Sequence, residues 1–141
     1  MCGIVGVWDS RSRRHIDENV VVRMNESQHH RGPDETGTHM APGVALGHKR
    51  LSIIDLKTGQ QPLFNEDRSV VIVFNGEIYN YRELRHGLEK DGYRFLTHSD
   101  CEVILGLYER CGDNLLAHLR GMFAFALWDG RERKLYLARD P

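Results

Sequence analysis

Apolar residues recur at two different spacings along the chain, and the change of spacing marks out a mixed α and β domain. Ile4-Val5-Gly6-Val7-Trp8 reads as a buried strand. Val44, Leu46 and His48 alternate as a second strand leading into Arg50-Leu51-Ser52-Ile53-Ile54-Asp55. Val70-Val71-Ile72-Val73-Phe74 is continuously apolar, as expected of a strand covered on both faces. Phe123, Phe125 and Leu127 share one face of residues 122–128, and a turn over 129–133 returns the chain as a partner strand carrying Leu135 and Leu137. A shorter strand is expected over 93–96.

Helical spacing appears between these runs. Asp17 is placed as the N-cap of a helix reaching about Gln28, with Val20, Val21 and Met24 on one face. Asn80-Tyr81-Arg82-Glu83 has the pattern of a capping box before Leu84 and Leu88, with Gly92 as the stop. Ser99 and Glu102 suggest a second box, opening a helix with Val103, Ile104, Leu107 and Tyr108 inward and Gly112 at its end. A short helix is expected over 113–119. Residues 9–15 and 29–37 read as loops from their polar, Gly and Pro content.

Bulk properties narrow the partners. A chain of 141 residues, 40% hydrophobic and 28% charged, suits one globular domain with a sizeable core. No apolar run approaches a bilayer span, and no signal peptide precedes the first strand. A net charge of −1 with scattered basic residues leaves no footprint for nucleic acid. Cys2, Cys101 and Cys111 form no CxxC pair, which argues against a disulfide framework or a zinc site and for a reducing cytoplasmic compartment. The histidines lack metal-ligand spacing, so no metal is expected.

Candidate chemistry centres on Cys2. After removal of Met1, this residue would carry a thiol and a free α-amine, and the amine could act as the base that forms the thiolate; the plain alternative is a small residue following an initiator Met. Arg50 can offer a planar fork to a carboxylate or form a surface salt bridge. Asn75-Gly76 can aim a side-chain amide and a backbone N–H at a developing oxyanion, or form an ordinary turn. Asp100 can complement a helix dipole or receive a substrate ammonium. Cys101 and Cys111 read as packing residues of the helix before Gly112.

In order and spacing, Cys2-Gly3-Ile4-Val5-Gly6, His30-Arg31-Gly32-Pro33-Asp34, Arg50-Leu51-Ser52-Ile53-Ile54-Asp55, Asn75-Gly76-Glu77-Ile78-Tyr79-Asn80, Ser99-Asp100 with Glu102-Val103-Ile104-Leu105, and Gly121-Met122-Phe123-Ala124-Phe125-Ala126 resemble the class II, N-terminal-nucleophile glutamine amidotransferase domain of glutamine-dependent asparagine synthetases. The resemblance covers essentially the whole chain. It implies an α+β, four-layer αββα sandwich of the N-terminal-nucleophile hydrolase type, incomplete at its C-terminal end. Residues 1–141 would be the glutaminase domain, and the synthetase domain would lie outside the chain. By the same resemblance Cys2 is the nucleophile and Asn75 and Gly76 form the oxyanion hole. Arg50 and Asp100 bind the two charged ends of L-glutamine, while Leu51, Ile53 and Glu77 complete the pocket. Glutamine hydrolysis needs no cofactor here; ATP and Mg belong to the missing synthetase domain, and a homodimer is compatible with the family. His98 stands where relatives often carry a smaller residue, at the pocket edge. Two other readings stay open: a non-catalytic amidotransferase-like regulatory or interaction module, and an amidotransferase whose acceptor is not aspartate.

Overall fold

A computed structural model describes residues 1–52 and 59–141. Its elements in chain order are β1 (Gly3–Trp8), α1 (Glu18–Ser27), β2 (Glu35–Ala41), β3 (Val44–Arg50), β4 (Leu63–Phe64), β5 (Val70–Ile78), α2 (Tyr81–Lys90), α3 (Glu102–Cys111), a 3₁₀ helix (Gly112–His118), β6 (Gly121–Asp129) and β7 (Lys134–Arg139). The described strands form two antiparallel sheets, one ordered β1-β3-β2 and the other β4-β5-β6-β7.

The period-2 alternation explains the layering. On β3, Val44 and Leu46 point to one side and meet Val71, Val73, Ala126 and Trp128 of the second sheet. On the opposite side of β3, Lys49 lies under α1 and donates to Glu26 at 2.7 Å. The other faces of β5 and β6 carry Ile72, Phe74, Phe125 and Leu127, which pack on Ile104 and Leu107 of α3 and Leu88 of α2. The order is therefore α1, first sheet, second sheet, α2 with α3. The expected αββα sandwich is the fold observed.

Several boundaries differ from the sequence reading. Strand β2 falls on residues 35–41, partly within the expected loop. Its Thr and His residues lack apolar alternation, and its place is set by pairing with β3 from Glu35↔Arg50 to Ala41↔Val44. The expected strand over 93–96 does not form. Leu96 and Thr97 direct their N–H groups to the Glu102 carboxylate, each at 2.7 Å, while Tyr93 and Phe95 stack edge to face and join the helix-side core. Glu102 is consequently not half of a capping box, and Cys101 rather than Ser99 occupies the N-cap. Asn80 precedes α2 as expected but does not cap it, because its amide bridges His118 and Arg120 instead. Asp17 does cap α1, accepting the Asn19 N–H at 2.9 Å. No helix among the described residues is long and apolar enough to cross a membrane.

One polar link crosses between the sheets. His48, 1% exposed, places Nε2 2.9 Å from the Phe74 carbonyl. A carbonyl only accepts, so Nε2 carries the hydrogen. Burial pushes the imidazole pKa from 6.5 down to about 4. Its stabilising contribution is therefore complete above pH 6.5 and is lost as the pH falls toward 4. The native state should lose about 2 kcal/mol from this group between pH 7.5 and pH 5. Denaturant unfolding at the two pH values, compared with His48→Gln, measures it: the variant keeps an N–H donor and should lack this part of the acid sensitivity.

Candidate functional site

Cys2 sits immediately before β1, where Gly3 pairs with Lys49, so it meets the chain emerging from β3. The Leu51 N–H donates to Cys2 Sγ at 3.3 Å, and the thiol reaches the Leu51 carbonyl at 3.7 Å. From the other side the Arg31 Nε donates to the Cys2 carbonyl at 3.2 Å. A residue next to a chain end is thus held at both its backbone and its side chain.

The Arg31-Gly32-Pro33-Asp34 loop explains this bracing. A Cβ on Gly32 would lie 2.3 Å from the Lys49 carbonyl, so only glycine lets the loop close on the end of β3. Asp34 then accepts the Ser52 N–H at 2.8 Å and gives its own N–H to the Arg50 carbonyl at 3.0 Å. Composition identified residues 29–37 only as a loop. It is a brace that fixes Cys2 and the segment after β3 together.

Arg50 closes β3 and is 4% exposed. Its Nη1 donates to Glu35 at 2.9 Å, from the residue directly opposite on β2. The surface salt bridge of the sequence reading joins a buried guanidinium to a partly exposed carboxylate, and it holds Arg50 at the cavity wall.

Strand β5 supplies the facing wall. In the alternation that sends Val71 and Val73 toward the first sheet, Asn75 and Glu77 follow on the same side. Gly76 has φ of +144°, and a Cβ there would fall 2.1 Å from the Met122 carbonyl. The strand passes through this position only as glycine. Its partner Phe123 turns both backbone groups to the far edge, where its carbonyl accepts the Asp140 N–H at 2.9 Å and its N–H donates to the Asp140 carboxylate at 3.0 Å. Gly76↔Phe123 is therefore a non-hydrogen-bonded pair, and the Gly76 N–H turns to the edge of β5 away from β6. Asn75-Gly76 is a distorted position inside a strand rather than a turn.

Asp100 lies just ahead of α3, 6% exposed, and accepts the Ile78 N–H at 2.8 Å. Burial raises its carboxyl pKa; the Ile78 and Cys101 N–H groups oppose that, and the nearby Glu77 charge adds to it.

Cys2, Arg50, Leu51, Asn75, Gly76, Glu77 and Asp100 line one cavity of about 100 Å³. That size suits a single small polar molecule and is well below the roughly 300–1,000 Å³ of sites for drug-sized ligands. Ile53 lies outside the described residues. His98 is exposed, and its neighbour Ser99 is the residue at the cavity wall. Cys101 is fully buried, where desolvation raises its thiol pKa well above the ordinary value, consistent with a packing role. Gln61 also lines the cavity, and its Oε1 accepts the Phe74 N–H at 2.6 Å. Gln61 was not among the candidate residues read from the sequence. Arg31 and Glu35 were likewise missed, since their roles depend on strand register and loop closure. Among the described residues no group of three His, Cys, Asp or Glu side chains gathers as a metal site.

A family model for the glutamine amidotransferase domain matches residues 1–141. Glutamine-hydrolyzing asparagine synthetase 1 of Bacillus subtilis (strain 168) is 47% identical over 143 residues, covering 100% of this chain and 23% of the relative. Glutamine-hydrolyzing asparagine synthetase 2 of Oryza sativa subsp. japonica is 44% identical over 140 residues, covering 99% of this chain and 23% of the relative. The chain spans about a quarter of the length of these curated relatives. Among solved structures, the glutamine phosphoribosylpyrophosphate amidotransferase of B. subtilis complexed with ADP and GMP superposes with a TM-score of 0.79 at 23% identity, over 100% of this chain and 37% of that one. At that identity the likeness is one of fold. The chain belongs to the glutamine amidotransferase domain family.

Proposed function

We propose that this chain hydrolyses the side-chain amide of L-glutamine through a thioester on Cys2. The observation that carries the reading is the convergence of a braced Cys2, the Arg50 cation, the Asp100 carboxylate and the Asn75-Gly76 donors on one small cavity. The Arg50 fork pairs with the substrate α-carboxylate, and Asp100 with its α-ammonium, which places the amide at Cys2 and excludes simple amides. The thiolate attacks the amide carbon. The resulting oxyanion is held by the Asn75 side-chain N–H and the Gly76 backbone N–H, donors worth roughly 2.7–4 kcal/mol each in comparable sites. Ammonia leaves with a proton from the Cys2 α-ammonium, and water then cleaves the γ-glutamyl thioester to release glutamate.

This half-reaction uses no metal and no organic cofactor. Residues 1–141 act as the glutaminase portion of a longer synthetase, a reading supported by the quarter-length match to relatives that are named asparagine synthetases. In that longer protein ammonia passes to a synthetase portion with aspartate as acceptor and ATP with Mg bound there. One observation favours the non-catalytic alternative for some preparations: Met1, 62% exposed, precedes Cys2, and while it remains the Cys2 nitrogen is an amide with no basicity.

Intact-mass measurement of the N-terminus alongside a glutamate-release assay resolves this, with activity expected only in the fraction that has lost Met1. Cys2→Ala should abolish glutamate release while leaving the thermal transition in place, and an active variant would overturn the assignment. Asp100→Asn keeps an oxygen for the Ile78 N–H but removes the charge opposite the ammonium. It should weaken glutamine binding by roughly 2–5 kcal/mol, read as a rise in KM. An unchanged KM would remove Asp100 from substrate recognition.

A further inference from the structure

Strand β5 has two unequal edges. One is paired with β6 from Val70↔Asp129 to Ile78↔Gly121. The other meets β4 at Val71 and Ile72 only, with Asn65 completing the pairing at Val70. Beyond β4 the outward backbone groups belong to Phe74, Gly76 and Ile78. Asp100 takes the Ile78 N–H at 2.8 Å. Phe74 has both of its outward groups bonded to side chains. Its N–H donates to Gln61 Oε1 at 2.6 Å, and its carbonyl accepts from His48 Nε2 at 2.9 Å. Gln61 is itself held by close approach, because its carbonyl occupies the space where a Cβ on Gly37 of β2 would sit, 1.9 Å away.

These two bonds fix different peptide planes. The Phe74 N–H belongs to the plane joining Val73 to Phe74, and the Phe74 carbonyl to the plane that also contains the Asn75 nitrogen. Rotation about Phe74 would therefore swing Asn75 and Gly76 together. We propose that Gln61, acting with His48, is a positioning residue that clamps the Phe74 backbone and so aims the Asn75 and Gly76 donors at the reacting oxygen. This rests on the hydrolase reading above, and it adds a residue that touches no reacting atom. A misplacement of about 1 Å in such a constellation can cost 10²-fold in rate.

Gln61→Met removes the acceptor while keeping the length of the side chain. It should lower kcat for glutamine about ten- to hundredfold with KM within about twofold. Alkylation of Cys2 by iodoacetamide, which forms no oxyanion, should keep its wild-type rate. Hydrogen exchange at the Phe74 amide, followed by NMR, should accelerate in Gln61→Met and stay slow in Gln61→Glu, which retains an accepting oxygen. Wild-type kcat in Gln61→Met, unchanged Phe74 exchange, or kcat, KM and alkylation falling together would each overturn the proposal. If wild-type protein lacking Met1 releases no glutamate, the hydrolase reading fails instead, and Phe74 exchange still decides whether the clamp exists.

Discussion

A buried backbone N–H must find an acceptor, and the site is arranged around the one edge of β5 where the sheet does not provide it. Along most of this strand the requirement is met by ladder bonds to β6 or β4. Past Ile72 the outer edge has no strand beside it among the described residues, and side chains substitute: Gln61 before β4 and Asp100 before α3 accept the N–H groups of Phe74 and Ile78, while His48 on β3 donates to the Phe74 carbonyl. The Gly76 N–H lies between the groups they satisfy. A donor facing a small polar cavity is thus a direct result of where the pairing ends. The glycine is required by the same geometry, since the adjacent β6 backbone leaves no space for a side chain.

The charges around the cavity are costly to bury, and the structure offsets that cost unevenly. Arg50 is paired across the β2–β3 ladder with Glu35, so the cation is held before any ligand arrives. Asp100 has N–H donors, but its carboxyl pKa is still raised by burial and by Glu77 nearby. A ligand ammonium would relieve that imbalance. On the proposed reading of a zwitterionic substrate, its cationic end would contribute more new stabilisation than its anionic end. Discrimination should therefore be sharper against molecules lacking the amine.

Much of this was legible in the residues. The continuous apolar run of β5, the alternation of Phe123, Phe125 and Leu127, and the Asp17 cap specify local structure that packing then preserves. The candidate residues Cys2, Arg50, Leu51, Asn75, Gly76, Glu77 and Asp100 converge because each stands at the end of a strand or helix, or at a distortion within one. What the residues did not disclose depends on partners distant in sequence. Strand β2 is specified by its register with β3 rather than by its own composition, and Glu102 and Asn80 serve neighbouring loops instead of their own helix ends. Gln61 carries no local signal, because its role exists only once Phe74 is beside it.

The contacts that hold Cys2 have a consequence for the proposed loss of Met1. The Arg31 bond to its carbonyl, the Leu51 bond to its sulfur and the ladder beginning at Gly3 all lie on the same side of the Met1–Cys2 peptide bond. Cutting that bond would remove none of them, and Met1 is exposed. Loss of Met1 would then exchange one amide for one amine and remove one wall of the cavity while the rest stays in place, a chemical switch that requires no refolding.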